Sequence, residues 1–151
     1  MGYILNAFIG KQSDLQLIAT RFNNSKLVNV WNDIFIIPMT EELYDEINEL
    51  KISEDVGSLT YMSMNVENKI LSIIEAKCIG YIEAEYIGGQ GGQKAVLWQN
   101  GERYKLYNFG QGVINLLLKY FGVSSEIGLD EFDTINLGRH RNTEDWFEPT
   151  N

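Results

Sequence analysis

Residues 34–37 most strongly constrain the possible fold, because they form an unbroken apolar run that reads Ile-Phe-Ile-Ile. A strand with one face in water alternates apolar and polar residues, whereas a strand buried on both faces is apolar throughout. The run therefore predicts a central strand, and Pro38 is expected to end it because proline lacks the amide hydrogen that a strand ladder needs. We expect the chain to build a sheet around this strand.

Shorter signals place further elements around it. Asn100-Gly101 is a strong hairpin signal between two predicted strands, 94–99 and 102–109, and Thr40 is suited to cap the helix that follows it. The pattern predicts an α+β fold, with a central, mostly antiparallel or mixed sheet of about five or six strands and three or four helices mainly on one face. No linker or repeat divides the sequence, so residues 1–151 are expected to form a single globular domain.

The chain is acidic, with 21 Asp and Glu against 12 Lys and Arg and a formal net charge of −9. Nucleic-acid binding requires a basic surface, so a general nucleic-acid binder is not expected. No apolar window reaches the length of about 18 residues that a membrane span needs, so membrane insertion is not expected either. The one cysteine, Cys78, allows no internal disulfide and suits a reducing, cytoplasmic environment. The sequence indicates no metal site and no cofactor.

The acidic residues are concentrated in residues 41–55, which hold seven acids and one base, Lys51. The purely structural interpretation is a solvated helix face that keeps the protein soluble. The functional interpretation is a surface complementary to a basic protein partner such as a toxin, since opposite charge raises association rate and specificity. Such an interface also needs an aromatic side chain to act as a binding hot spot. The residues predicted to bind the partner are Glu41, Glu42, Tyr44, Asp45, Glu46 and Glu49.

A second candidate lies at residues 83–93, where Glu83 and Glu85 precede the glycine-rich stretch 88–92. On a strand the two carboxylates share one face, which is either the solvated face of a sheet or a pair capable of acid–base work. The glycines are interpreted as a hairpin turn or as a mobile binding loop. A phosphate-binding loop is excluded because Lys94 is followed by Ala95 rather than by Ser or Thr.

A third candidate is the segment Arg139-His140-Arg141, which contains the only histidine of the chain. Either arginine could bind an anion or pair with nearby carboxylates such as Glu144 and Asp145, and His140 could act as a general base. The structural interpretation is an ion-pair clamp that holds the C-terminal segment on the body of the protein.

Two blocks of the C-terminal half resemble a family of small bacterial proteins of unassigned activity. The first is YIEAEYIGGQGGQ at 81–93, and the second comprises DEFD at 130–133, LGRHR at 137–141 and TEDW at 143–146. The resemblance covers about residues 80–147 and suggests kinship with immunity-type proteins that neutralise toxins of neighbouring bacteria. It implies a bacterial, cytoplasmic, single-domain protein and assigns no catalytic residue.

Two functional hypotheses follow, beside the alternative of a structural or housekeeping module with no discrete site. The first is an acidic protein-binding module, of the immunity type, that neutralises a toxin by direct binding. The second is a small enzyme or anion-binding domain whose site combines the glycine-rich loop at 88–93 with Glu83, Glu85 and His140 as acid–base residues and the two arginines of 139–141 as an anion clamp. That second hypothesis requires the two segments to meet in space. A non-catalytic protein is favoured, because the sequence contains no catalytic triad or metal cluster.

Overall fold

A six-stranded antiparallel sheet forms the centre of the protein in a computed structural model that describes residues 2–147. The spatial order is β2-β3-β1-β4-β5-β6, so β1 lies in the interior between β3 and β4. The strands are β1 (Tyr3–Lys11), β2 (Val28–Trp31), β3 (Ile34–Pro38), β4 (Ile79–Ile87), β5 (Gln90–Gln99) and β6 (Glu102–Gly110). The predicted α+β class and antiparallel sheet are confirmed. Positions 1 and 148–151 of the predicted domain lie outside the described residues.

Within residues 2–147 three helices precede β4 along the chain, and two follow β6. They are α1 (Gln12–Ala19), α2 (Glu41–Asn48), α3 (Met64–Ile74), α4 (Val113–Tyr120) and the short α5 (Glu131–Thr134), followed by 3-10 turns at Leu137–Arg139 and Thr143–Phe147. Thr40 caps α2 as predicted, because its side-chain oxygen accepts from the amide of Leu43 at 3.1 Å. Ser63 caps α3 in the same way at Val66.

Successive residues of the central strands point into two separate hydrophobic clusters, one on each face of the sheet. Ala7, Ile82 and Leu97 pack on one face with α4 and with residues from α5 onwards. Phe8 and Trp98 pack on the other face with α1, α2 and α3. Of the four longer helices within residues 2–147, three therefore cover one face and α4 covers the other.

Two tight turns join β4, β5 and β6. Gly88 and Gly89 have φ angles of 61° and 80°, and Asn100 and Gly101 have φ angles of 56° and 81°. Positive φ at both central residues is the geometry that matches the twist of a hairpin, and glycine and asparagine adopt it at little cost. The glycine-rich stretch is thus a two-residue turn rather than a long loop, and β5 begins at Gln90, four residues earlier than predicted.

An ion pair between partly exposed Arg103 and buried Glu67 connects the edge strand β6 to α3. The carboxylate of Glu67, only 3% exposed, accepts from the guanidinium of Arg103 at 2.8 and 2.7 Å and from the indole nitrogen of Trp98 at 2.9 Å. The hydrogen bond to Glu67 raises the pKa of Arg103 above its ordinary value. A buried carboxylate is tolerated only when its oxygens are paired, so this contact fixes β6 against the helical layer.

We expect Arg103→Ala to lower the free energy of unfolding by about 2 kcal/mol, because the buried Glu67 carboxylate loses its cationic partner. Urea unfolding followed by circular dichroism measures the change. The matched control is Lys11→Ala, which removes an exposed ion pair with Asp33 and is expected to cost at most about 0.5 kcal/mol. Equal losses in the two variants would contradict the role given to Arg103.

Candidate functional site

Two adjoining depressions lie on the face of the sheet that carries α1–α3, beside the first residues of β1 and the second half of β4. Their volumes are about 380 and 180 Å³, and they share Ile4, Asn6 and Tyr61 as lining residues. We call their combined surface the Tyr61 groove, and the residues that define it are Asn6, Glu41, Tyr61, Glu83, Glu85 and Glu144.

The floor of the Tyr61 groove is formed by Glu83, which is only 5% exposed. Its carboxylate accepts from the backbone amides of Thr60 and Tyr61, both at 2.8 Å, and from the hydroxyl of Tyr81 at 2.7 Å. These bonds tie the connection between α2 and α3 down onto β4. Glu83 therefore positions Tyr61 in the groove as well as contributing negative charge to it.

Glu83 and Glu85 share one strand face, as their spacing predicts, but their environments differ. Glu85 is exposed, whereas Glu83 is buried, so the interpretation of this face as a solvated sheet surface is wrong for Glu83. The difference arises because Thr60 and Tyr61 cover Glu83. Thr60 and Tyr61 lie between α2 and α3, and no local sequence pattern predicts their contact with β4.

Lys94, the strand partner of Glu83, does not form an ion pair with it. Lys94 lies opposite Glu83 in the pairing of β4 with β5, and it also lines the groove. Its ammonium group donates to the carbonyl of Ser58 at 2.7 Å. Within residues 2–147 no Lys or Arg nitrogen lies within 4 Å of the Glu83 carboxylate, which is held by neutral donors instead.

Besides burial, carboxylates in the groove help to raise the pKa values of Tyr61 and Tyr81. Burial raises the pKa of Tyr61, and the carboxylates of Glu41, Glu83 and Glu144 raise it further. Burial also raises the pKa of Tyr81 well above its ordinary value, with the neighbouring Glu83 as the next cause. Three carboxylates from separate parts of the chain therefore act on one tyrosine hydroxyl, and both tyrosines remain protonated donors at neutral pH.

The predicted partner-binding residues of α2 divide into two groups. Glu46 accepts from the backbone amides of Asn23 and Asn24, both at 2.8 Å, and Glu49 pairs with Lys69 at 2.5 Å. These two carboxylates hold the helical layer together. The remaining acids, whose side chains are exposed, are Glu41, Glu42 and Asp45.

Tyr44 connects α2 to the groove. It packs edge-on against Tyr61, with ring centroids 5.7 Å apart. Glu41, the first residue of α2, lines the groove directly. Glu41 of α2 and the carboxylates of β4, which lie in separate clusters in the sequence, thus border one concave surface.

The segment Arg139-His140-Arg141 lies away from the groove floor. The Arg139 guanidinium donates to the carbonyls of Ile135, Asn136 and Val30 and lies 4.7 Å from the Trp146 ring centre. Burial lowers the pKa of Arg139. His140 also packs against Trp146, with ring centroids 4.6 Å apart, and Trp146 belongs to the cluster on the α4 face.

The C-terminal segment is held on β1 by backbone rather than by ion pairs. The carbonyl of Arg141 accepts from the amide of Ile4 at 2.8 Å, and the hydroxyl of Thr143 accepts from the amide of Asn6 at 3.0 Å. Among residues 2–147 neither Arg139 nor Arg141 has a carboxylate within 4 Å. The clamp was expected to use ion pairs, but Arg139 donates to the carbonyls of Val30, Ile135 and Asn136 instead, and Arg141 donates to the carbonyl of Gly2 at 3.5 Å.

The acid–base site of the enzyme hypothesis is not assembled in the structure. Glu83 and Glu85 meet the glycines of β5 in one depression, but none of residues 139–141 lines it, and His140 packs with Trp146 on the opposite layer. Within residues 2–147 no group of three or more His, Cys, Asp or Glu side chains converges to hold a metal ion. The same residues contain no helix of the length and apolarity that a membrane crossing requires.

Comparison with known proteins returns no matching family model, no matching curated protein and no matching solved structure.

We expect Glu83→Ala to release residues 58–61 from β4, because the amides of Thr60 and Tyr61 lose their acceptor. Amide hydrogen exchange should become at least about tenfold faster at these two residues, a loss of protection of about 1.4 kcal/mol. The control is Glu85→Ala, which changes the same residue type on the same strand face at an exposed position. Unchanged exchange in Glu83→Ala would show that the contact does not hold the segment.

Proposed function

We propose that this protein is a cytoplasmic protein-binding module that takes a basic segment of a partner protein into the Tyr61 groove. The observation that carries the proposal is the convergence of carboxylates from α2, β4 and the last 3-10 turn around one tyrosine in a concave surface. As a class of partner we propose a bacterial toxin, with this chain acting as its immunity protein. That finer assignment rests on the kinship with immunity-type proteins that the sequence blocks within residues 80–147 suggest.

The chemistry of the groove suits a lysine or arginine side chain. Exposed Glu41, Glu85 and Glu144 offer acceptors at its rim. The ring of Tyr61 offers a face on which a cation can lie, an interaction of about 0.5–2 kcal/mol. An anionic partner would instead meet four carboxylates against one lysine, Lys94.

Apolar side chains at the rim provide the contact area that charges alone do not supply. Ile87 is 62% exposed and Phe109 is 58% exposed, and both line the larger depression. Protein interfaces draw most of their affinity from a few central aromatic and aliphatic residues, while surrounding charges set specificity and association rate. Tyr61, Phe109 and Ile87 fit the first role, and the carboxylates fit the second.

The exposed acids of α2 extend the negatively charged surface beyond the groove. Glu42 and Asp45 are exposed on the helix that begins at the groove with Glu41. A net charge of −9 on a small protein accelerates encounter with a basic partner, and added salt screens the effect.

The acid–base alternative has weaker support from the same geometry. The Glu83 carboxylate already accepts three hydrogen bonds from Thr60, Tyr61 and Tyr81, so little of its acceptor capacity is left for a substrate. His140, its proposed partner, packs against Trp146 in the layer on the other side of the sheet.

We expect the double variant Glu41→Gln/Glu144→Gln to bind a hexa-arginine peptide about tenfold more weakly than the unmodified protein, because two exposed charge contacts of about 0.7 kcal/mol each are lost. Fluorescence anisotropy of a labelled peptide at low salt measures the affinity. The control, Glu102→Gln/Glu126→Gln, removes the same charge from exposed positions outside the groove. Equal weakening in both variants would mean that total charge, and not the groove, binds the peptide.

The toxin assignment is tested by co-expression with the products of the adjacent genes. A neighbouring product that stops growth when expressed alone, and not when this chain is present, is the expected result. Protection should be lost in Tyr61→Ala/Glu41→Gln and retained in Glu102→Gln/Glu126→Gln. Protection that survives the groove variant would refute the proposed docking site.

A further inference from the structure

A second cavity lies on the α4 face of the sheet and is separate from the Tyr61 groove. It has a volume of about 430 Å³ and lies between the sheet and the start of α4. Small-molecule sites in proteins begin at about 300 Å³ and combine aromatic walls with a few fixed polar groups. The lining residues that the argument uses are Tyr3, Tyr86, Gln93, Gln111, Asn115 and Phe132.

Gln93 places a buried donor in this cavity. The side chain is 8% exposed, and its carbonyl oxygen caps α4 by accepting from the amide of Ile114 at 2.8 Å. Its amide nitrogen donates to no acceptor within residues 2–147. In that part of the chain the one fully buried side-chain nitrogen or oxygen atom without a partner is the indole nitrogen of Trp146, so the Gln93 nitrogen is not fully enclosed by protein atoms. Gln93 is one of the residues that line the cavity.

The walls around Gln93 are already fixed by other bonds. Tyr86 donates to the side-chain oxygen of Gln111 at 2.8 Å, and the Gln111 nitrogen donates to the carbonyl of Gly91 at 2.7 Å. Asn115 accepts from the amide of Phe132 at 2.8 Å. A cavity whose polar walls are held in place before binding avoids much of the cost of ordering them.

The polar groups define the ligand chemistry. A free amide NH₂ beside the N-terminal end of an eight-residue helix attracts a hydrogen-bond acceptor. Among residues 2–147 no Lys, Arg or His lines the cavity, and Asp130 is one of its lining residues, so the acceptor should be uncharged. The rings of Tyr3 and Phe132, 5.9 Å apart and edge-on to each other, offer apolar contact to a flat molecule.

We propose that this cavity binds a small, uncharged, planar molecule through a carbonyl oxygen that accepts from the side-chain amide of Gln93. Aromatic amides and lactams are the class with this chemistry. The site lies on the opposite face of the sheet from the Tyr61 groove and does not depend on the function proposed for that groove.

Benzamide is the test ligand, and aniline is its matched control, since it has the same ring without a carbonyl group. We expect benzamide to bind with a Kd on the order of 1 mM, as suits so small a molecule, and to shift the Gln93 side-chain NH₂ signals in ¹H–¹⁵N spectra. Aniline should bind at least about tenfold more weakly. The absence of any shift at Gln93 with millimolar benzamide would overturn the proposal.

Gln93→Glu separates binding from folding. The substituted carboxylate can still cap the amide of Ile114, and negative charge is favourable at a helix N-terminus, but the donor is gone. We expect unchanged circular dichroism and at least about tenfold weaker benzamide binding. Gln12→Glu, at an exposed position outside the cavity, should bind as the unmodified protein does. Benzamide binding that is retained in Gln93→Glu would also overturn the proposal.

Discussion

The burial of the central strands on both faces is the constraint on which the rest of the structure depends. β1 and β4 direct alternate side chains into two different hydrophobic clusters, so the sheet has no free face along its middle. Such a sheet needs a helical layer on each side, and the chain supplies α1–α3 on one and α4 with the following turns on the other. The Tyr61 groove and the cavity beside Gln93 both lie beside strand residues that these layers leave partly uncovered.

Polar residues placed at these margins acquire their properties from the covering layers. Glu83 lies in the same strand as the fully buried Tyr81 but close enough to the margin to meet backbone amides instead of apolar side chains. Gln93 occupies a comparable margin on the opposite face, where it meets the first turn of α4. In both cases a strand residue satisfies the backbone of a segment that packs over it, and a cavity lies beside the contact.

Local sequence signals predicted the local structure well. The run at 34–37 predicted a strand buried on both faces, Asn100-Gly101 predicted a hairpin and Thr40 predicted a helix cap, because each depends on neighbours close in the chain. The strand at 34–38 is second from the edge of the sheet, not central as predicted. Alternation also placed Glu83 and Glu85 on one face, but it could not show that residues 60–61 bury only the first of them. The carbonyl partners of Arg139 and the capping contact of Gln93 depend on distant segments in the same way, and no local pattern encodes them.

The contact between β1 and the C-terminal segment has a consequence for the time order of folding. β1 can pair with β3 as soon as residue 38 is made, and with β4 once residue 87 is made. The amides of Ile4 and Asn6 can form their hydrogen bonds only after Arg141 and Thr143 have been made, more than 130 residues later. Throughout synthesis the first strand therefore presents an unfinished edge, which is the kind of surface on which chains associate wrongly. A truncation before residue 141 would leave that edge open permanently.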